Sequence, residues 1–240
     1  MRIAEIYEIL DEIAPFESAE PWDNSGLIVG SLNSEFERVY LSLDIDSDLA
    51  DFVSPNSLII THHPLIFKGL KSINYDKYPS NIIAKLITKN VSLISMHTNY
   101  DKHVLNEYFV REILGFEISK KDEFLIYFDA KMSFDELVNL VKNRLKLEQI
   151  RAVFAKDEIK RIAVCTGSGM DLAGLVGADA FLTGDIKYHD ALTCKENGLN
   201  LIDLGHYESE LYFGASLAKY LQNFKIEVII TNSKNPFTYR

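Results

Sequence analysis

The chain has 240 residues, enough for one large domain or two modest domains with a buried core. Its hydrophobic fraction of 47% and charged fraction of 25% are ordinary for a globular protein. The formal net charge of -10 argues against a general affinity for nucleic acid, because phosphate contacts need clustered Lys and Arg. A small anion is still an acceptable ligand where a bound metal ion supplies local positive charge.

The N-terminus and the cysteine content predict a cytoplasmic protein. Residues 1–6 lack the apolar core of a signal peptide, and the sequence has no apolar run long enough to span a bilayer. Cys165 and Cys194 are its only cysteines, and we expect two reduced, buried thiols rather than a disulfide. The sequence has no CxxC pair, which excludes a structural zinc finger.

The first half of the chain alternates between helical and extended patterns. Apolar residues from Ile3 to Ile13 recur at helical spacing, and Pro15 ends that run. A loop is predicted at 21–26 and a strand at 39–43. The later predicted elements are strands at 57–60 and 91–96, and helices near 81–88 and 104–114.

The second half continues this alternation after a charged stretch at 120–123. Its predicted strands are 124–128, 151–154, 162–164, 178–183, 200–203 and 226–231. Its predicted helices are 134–145, a short one after Asp171, 188–196 and one after His206. The alternation predicts an α/β fold with two α/β domains. Residues 1–122 and 205–240 would form a metal-binding domain, and residues 123–204 a second domain inserted into it.

Histidines and carboxylates recur directly after three of the predicted strands. The pair His62-His63 follows the first, His97 and Asp101 follow the second, and His206 and Glu210 follow the third. Ligand sites of open α/β sheets form beyond the carboxyl ends of the strands. The pattern therefore predicts a metal site at the carboxyl ends of strands.

Each of these pairs also has a plain structural interpretation. His62 and His63 could be polar turn residues, but neighbours in extended backbone point to opposite sides and can reach two ions. Asp101 could be the N-cap of the helix predicted near 104. Glu210 lies four residues after His206 and could share one helix face with it. Alternatively, Glu210 could sit in an exposed helix start, where the helix dipole favours it.

The number of candidate ligands favours two ions. A catalytic zinc usually takes three protein ligands and a water, whereas this chain offers five, with His97 a sixth. Such a set fits two divalent ions about 3.5–4 Å apart, and its mixed chemistry suits zinc, manganese or iron. Two ions lower the pKa of a shared water and polarise the substrate, which indicates hydrolysis.

Other polar features rank lower in this interpretation. His189 could contact substrate or move a proton, or it could be an ordinary helix residue. His103 is expected to be solvated. The glycine-rich turn at 166–169 lacks the residues of a P-loop, so close packing of the following helix is the favoured reason for its glycines. The sequence has no G-x-S-x-G nucleophile motif.

Several motifs resemble the Nif-three-like family, whose members are also called GTP cyclohydrolase 1 type 2 homologues. They span nearly the whole chain in order. The motifs are Trp22-Asp23-Asn24-Ser25-Gly26-Leu27 with Val29-Gly30, then Ile59 to Ile66 around His62-His63, His97-Thr98-Asn99-Tyr100-Asp101, Cys165 to Gly169, Asp179 to Asp185, and Gly205 to Glu210. This chain is similar to the short form of the family, without a large additional domain.

The resemblance implies a two-domain α/β protomer with a dinuclear metal site that faces the cavity of a ring-shaped homohexamer. In that scheme, His62 and His206 hold one ion, and His63 and Asp101 hold the other. Glu210 then bridges the two ions, and His97 has an auxiliary role. Asp185 departs from the family pattern, because many relatives carry Glu there.

The family name implies a reaction on a nucleotide. GTP would lose formate after hydrolytic opening of the guanine imidazole ring at a cyclic amidine C–N bond, with His97 or His189 moving protons. The alternative is a metal-stabilised, ring-forming scaffold or regulatory protein without turnover. Nucleic-acid handling through the ring is a third alternative, which the acidic charge disfavours.

Overall fold

The computed structural model describes residues 1–231 and 233–238 as a mixed α/β fold with two sheets. The strands are β1 Gly26–Val29, β2 Arg38–Ser42, β3 Leu58–Thr61, β4 Ser92–Ser95, β5 Lys120–Asp122, β6 Leu125–Ser133, β7 Arg151–Val153, β8 Glu158–Val164, β9 Ala180–Thr183, β10 Asn200–Asp203 and β11 Glu227–Ile230.

The helices complete this set of elements. The α-helices are α1 Ile3–Ile13, α2 Ser47–Phe52, α3 Ser80–Thr88, α4 Thr98–Tyr100, α5 Asn106–Tyr108, α6 Phe134–Leu145, α7 Tyr188–Glu196, α8 His206–Glu210 and α9 Phe213–Leu221. Phe16–Ser18 and Met170–Leu175 are 3-10 helices, and Asp101–Leu105 and Phe109–Leu114 are π-helical.

The chain divides into two compact units. One comprises Met1–His103 with Phe213–Arg240, and the other comprises Val104–Tyr212. The second unit contains the whole of the segment 123–204, and the predicted domain limits and insertion stay predictions. Within the described ranges, no helix is both long enough and apolar enough to cross a membrane.

The first unit is built on a sheet with strand order β1-β4-β3-β2-β11. Its strands β11, β2, β3 and β4 run parallel, whereas β1 pairs with β4 in the antiparallel sense. Every residue of β3 and β4 is buried, as expected for parallel strands covered on both faces. Thr61 pairs with Ser95, so β3 and β4 end at the same level and the residues after them emerge together.

The second unit is built on a sheet with strand order β5-β6-β8-β9-β10-β7. Strands β8, β9 and β10 are parallel, and Asp203 pairs with Thr183, so β9 and β10 also end level. Helix α6 packs Leu137 and Val141 into the core of this unit. The N-terminus of α6 is fixed by a capping box, in which Ser133 and Glu136 hydrogen-bond each other's backbone N–H groups.

Most predicted elements are present, and the exceptions have local causes. The bounds of α6, α7 and β10 agree with the prediction. Short α2, capped by the Asp46 side chain, and the short strands β1 and β5 were missed because a few residues carry little periodicity. The helix predicted near 104–114 begins at 98 instead, so Asp101 lies inside helical structure and is not its N-cap.

The three strands that precede the candidate ligands belong to different sheets. Strands β3 and β4 lie in the first sheet, whereas β10 lies in the second. The candidate ligands therefore emerge from two sheet edges rather than one.

Candidate metal centre

The end of β3 is shaped so that two histidines leave it in fixed positions. The Thr61 hydroxyl donates to the carbonyl oxygen of His63 at 2.8 Å and shares a hydrogen bond of 2.9 Å with Ser95 at the end of β4. The rings of His62 and His63 are 5.0 Å apart between centroids and tilted by 48°. These contacts fix the turn after β3 and connect it to the end of the neighbouring strand.

His62 is fully buried and has a defined tautomer. Its Nδ1 lies 2.8 Å from the carbonyl oxygen of Met96, which can only accept a hydrogen bond. The ring therefore donates from Nδ1, and Nε2 carries the lone pair. That Nε2 lies 3.4 Å from Oδ1 of Asp101, whose side chain is also largely buried.

His63 is held by a carboxylate at the end of β2. Its Nδ1 lies 2.8 Å from Oδ1 of Asp44. Burial tends to raise the pKa of Asp44, but the hydrogen bond from His63 outweighs it and holds the pKa below its usual range. An ionised Asp44 orients the ring so that Nε2 is the atom presented for ligation.

His97 has the same arrangement with Asp23. Its Nδ1 lies 2.8 Å from Oδ1 of Asp23, whose fully buried carboxylate also accepts hydrogen bonds from Ser25 and Thr98. Burial tends to raise the pKa of Asp23, but the bonds from His97, Thr98 and Ser25 hold it well below its usual value. His62, His63 and His97 each place a ring nitrogen within 4.8 Å of the other two.

In the second unit, His206 and Glu210 share one face of α8. Nε2 of His206 lies 3.0 Å from Oε2 of Glu210, at the predicted four-residue spacing. Nδ1 of His206 lies 2.7 Å from Oδ2 of Asp185, two residues past β9. Glu210 is only 2% exposed, so the interpretation of these residues as an exposed helix start is wrong for Glu210.

The glycine-rich turn at 166–169 makes room for the Glu210 carboxylate. Gly167 has a φ of +65°, and a Cβ there would lie 2.0 Å from Oε1 of Glu210. At Gly169, a Cβ would come within 2.9 Å of Cys165 and Thr183. Close packing does explain the glycines, but the atoms concerned belong to Glu210, Cys165 and Thr183 rather than to the following helix.

The donor atoms suit divalent metal ions. Four histidines (His62, His63, His97 and His206) have Nδ1 bound to an oxygen, which leaves Nε2 as the atom with the lone pair. This is the usual arrangement of metal-bound histidine. Tetrahedral ligation with bonds of about 2.0–2.1 Å places ligand atoms about 3.3 Å apart, which the two His–carboxylate separations of 3.4 Å and 3.0 Å approach.

The remaining histidines lie elsewhere. His189 is exposed on α7 with its ring edge-on to Tyr188 at 5.3 Å, and its catalytic role stays a prediction. His103 is exposed, as predicted, with its Nε2 3.0 Å from the hydroxyl of Ser18.

The sequence interpretation missed the carboxylates that hold the histidines. Asp44 and Asp185 each lie two residues after a strand, so the rule that located the ligands would also have found them at β2 and β9. Asp23 precedes β1 in a predicted loop, and only its place in the Trp22-Asp23-Asn24 motif drew attention to it.

The fold and these side chains define an α/β protein with histidine and carboxylate clusters able to hold metal. A family model described as Duf34/NIF3 (NGG1p interacting factor 3) matches residues 1–236. The chain therefore belongs to the Duf34/NIF3 family, which confirms the family predicted from the sequence.

Relatives and solved structures agree with this assignment. A Campylobacter jejuni protein named GTP cyclohydrolase 1 type 2 homolog is 58% identical over the full length of both chains. A Helicobacter pylori protein named GTP cyclohydrolase 1 type 2 is 44% identical over 98% of this chain and 97% of its own. The crystal structure of the Staphylococcus aureus hypothetical protein SA1388 is 29% identical and has a TM-score of 0.87, covering 100% of this chain and 99% of that one. Reduced HcgD from Methanocaldococcus jannaschii is 25% identical with a TM-score of 0.81, covering 96% and 97%.

Proposed function

We propose that this protein is a dinuclear metal-dependent hydrolase that acts on a nucleotide, with GTP as the leading candidate. The observation that carries the proposal is the shared arrangement of His62, His63 and His206. In each of these histidines, a carbonyl or carboxylate oxygen fixes Nδ1. In His62 and His206, Nε2 also lies 3.4 Å and 3.0 Å, respectively, from a carboxylate oxygen of a second proposed ligand. Purely structural histidines have no need of this repeated orientation.

The proposed ligands are His62, His63, Asp101, His206 and Glu210, holding two divalent ions of zinc, manganese or iron. Oδ1 of Asp101 lies 3.4 Å from Nε2 of His62, which supports a shared ion for these two residues. This pairing differs from the one implied by the family resemblance, in which Asp101 joins His63. His63, His206 and Glu210 complete the proposed ligand set, with Glu210 as the proposed bridging ligand.

The chain's own residues would supply orientation and proton transfer. Bound divalent ions acidify water and polarise a substrate oxygen or nitrogen. Asp44 and Asp185 keep the ligand histidines in one tautomer, so no reorientation precedes binding. His97, whose Nδ1 is held by Asp23, presents Nε2 as a proton acceptor close to His62 and His63, and His189 is the second candidate for this role.

The substrate proposal rests on the names of the relatives. Two of them, in C. jejuni and H. pylori, carry the name GTP cyclohydrolase 1 type 2, with or without the word homolog. The reaction would be hydrolytic opening of the guanine imidazole ring of GTP with release of formate. We further propose that the protein assembles as a homohexamer.

The test is to incubate the pure, metal-analysed protein with GTP and to measure formate, with and without a chelator. We expect formate only from the metal-loaded protein, and no formate from the His63→Ala or Glu210→Ala variants. His103→Ala is the matched control, because it removes an exposed histidine outside the proposed ligand set. Activity that survives chelation and both ligand substitutions would refute the proposal. Chelation that breaks the oligomer or lowers Tm, in a protein with no turnover, would support the scaffold alternative.

A further inference from the structure

Two exposed aromatic rings lie beside His97. Trp22 is 59% exposed and Phe67 is 46% exposed. Their ring centroids are 5.9 Å apart with a tilt of 55°, and each ring meets the His97 ring edge-on at 6.2 Å. The His97 ring in turn lies 5.2 Å from His62. The aromatic pair is therefore separated from a proposed metal ligand by a single side chain.

Hydrogen bonds of neighbouring residues fix the chain segments that carry the two aromatic rings. The side chain of Asp23, next to Trp22, is fully buried and accepts hydrogen bonds from His97 and Thr98. Asn24 donates from Nδ2 to the carbonyl oxygen of Ile66, next to Phe67, at 2.5 Å. Through this bond, the segment that carries Trp22 is joined to the segment that carries Phe67. Fixing these segments reduces the ordering cost when a ligand binds the rings that they carry.

Both rings remain exposed in the folded chain. Among the described residues, neither Trp22 nor Phe67 stacks face to face with another aromatic ring. Exposed, ordered aromatic faces beside polar groups are suited to planar ligands, because stacking accepts any flat heterocycle. The adjacent histidines would then engage the reacting end of that ligand.

We propose that Trp22 and Phe67 bind the planar heterocyclic base of the substrate and set its position relative to His97. This inference rests on the proposed function only in taking the histidine group as the place of reaction. Through these rings, the protein would bind ligands with a purine-like base in preference to ligands that carry only sugar and phosphate. The two residues would determine specificity and affinity without taking part in proton transfer.

The chain offers a direct probe, because Trp22 is its only tryptophan. Stacking of a base on Trp22 should quench the intrinsic tryptophan fluorescence. We would titrate the chelator-treated protein, which removes turnover, with guanosine and with GTP. The control titration uses ribose 5-phosphate with tripolyphosphate, which supplies the same polar groups without a base. We expect quenching by guanosine and GTP and none by the control mixture.

Substitutions then test the two rings separately. Trp22→Leu and Phe67→Leu should each weaken GTP binding by about 5- to 100-fold in calorimetry, and should raise KM far more than they change kcat. Trp22→Phe keeps a ring and should restore most of the affinity. Phe52→Leu is the matched control, because Phe52 is 66% exposed in the same unit and has its ring edge-on to Tyr40 instead.

The possible results separate this inference from the proposed function. Quenching by guanosine in a protein that never releases formate would support the base site and refute the cyclohydrolase activity. The base site would be overturned, while the activity stands, by two results together. These are turnover of GTP with unchanged KM in Trp22→Leu and Phe67→Leu, and no quenching of Trp22 fluorescence in the unsubstituted protein. Equal quenching by the base-free mixture would also overturn it.

Discussion

The position of Gly167 against Glu210 makes the sharpest prediction about the candidate metal centre. In Gly167→Ala, the new Cβ would lie 2.0 Å from Oε1 of Glu210, whereas ordinary contact begins at 3.4 Å. The carboxylate would have to retreat by about 1.4 Å, the difference between these two distances. The φ of +65° adds a strain of about 1 kcal/mol for any residue with a Cβ.

A shift of this size should cost metal affinity more than folding. Moving Glu210 separates it from His206, whose Nε2 is now 3.0 Å from Oε2. Disturbing the surroundings of a metal ligand typically weakens binding 10- to 100-fold, and we expect a loss of about that size or more. Competition with a chromogenic chelator would measure the affinity, and urea unfolding of the metal-free protein would measure stability.

A second glycine provides the control. Gly174 lies in the 3-10 helix Met170–Leu175, and a Cβ at Gly174 would meet nothing within 4 Å. Gly174→Ala should therefore keep full metal affinity and change the unfolding free energy by less than about 1 kcal/mol. If Gly167→Ala binds metal as tightly as the Gly174→Ala control, Glu210 is not a ligand and the reasoning is refuted.

Three further predictions concern carboxylates and a lysine. Asp44→Asn should weaken metal binding about 10- to 100-fold by loosening His63, and unchanged competition with a chelator would contradict this. Lys89→Met should lower the unfolding free energy by about 1–2 kcal/mol in urea, because its Nζ donates to three carbonyls at the end of α2. Lys85→Met, which breaks only a surface pair, should cost less than about 1 kcal/mol, and an equal loss in both variants would count against this role of Lys89. Burial tends to raise the pKa of Asp179, but hydrogen bonds from Lys156 and the backbone outweigh it, so the pKa lies below its usual value. The contribution of Asp179 to stability is therefore present above about pH 4 and is lost as the pH falls. The decline of Tm on acidification should therefore be shallower in Asp179→Asn, and identical profiles would contradict the shift.

The ends of β3 and β4 were predictable because their burial leaves a plain pattern. Short, mainly apolar runs before His62-His63 and before His97 can be recognised without a structure, and the parallel register then brings their ends level. The metal-binding residue types at these ends were therefore found. The level at which β9 and β10 end was not foreseen, because register depends on pairing across the sheet and not on local pattern.

The hydrogen bonds that orient the histidines could not be predicted for a related reason. Asp23 and His97 are 74 residues apart in the chain and meet at 2.8 Å only after β1 pairs with β4. The strand β1 was itself missed, since its four residues, which begin with Gly26, carry too little periodicity. Gly167 shows the same limit, because a glycine is needed there only to make room for Glu210, which lies far later in the chain.

Asp185 contacts His206 from a left-handed backbone conformation. The family resemblance predicts Glu at this position in many relatives, and Asp has the shorter side chain. Asp185 has a φ of 54°, a left-handed conformation that Asp adopts more readily than most residues because its short carboxylate can bond locally. From there its Oδ2 lies 2.7 Å from Nδ1 of His206. The contact that matters for His206 is thus kept with the shorter acid, so the departure from the family pattern is no argument against a metal ligand at His206.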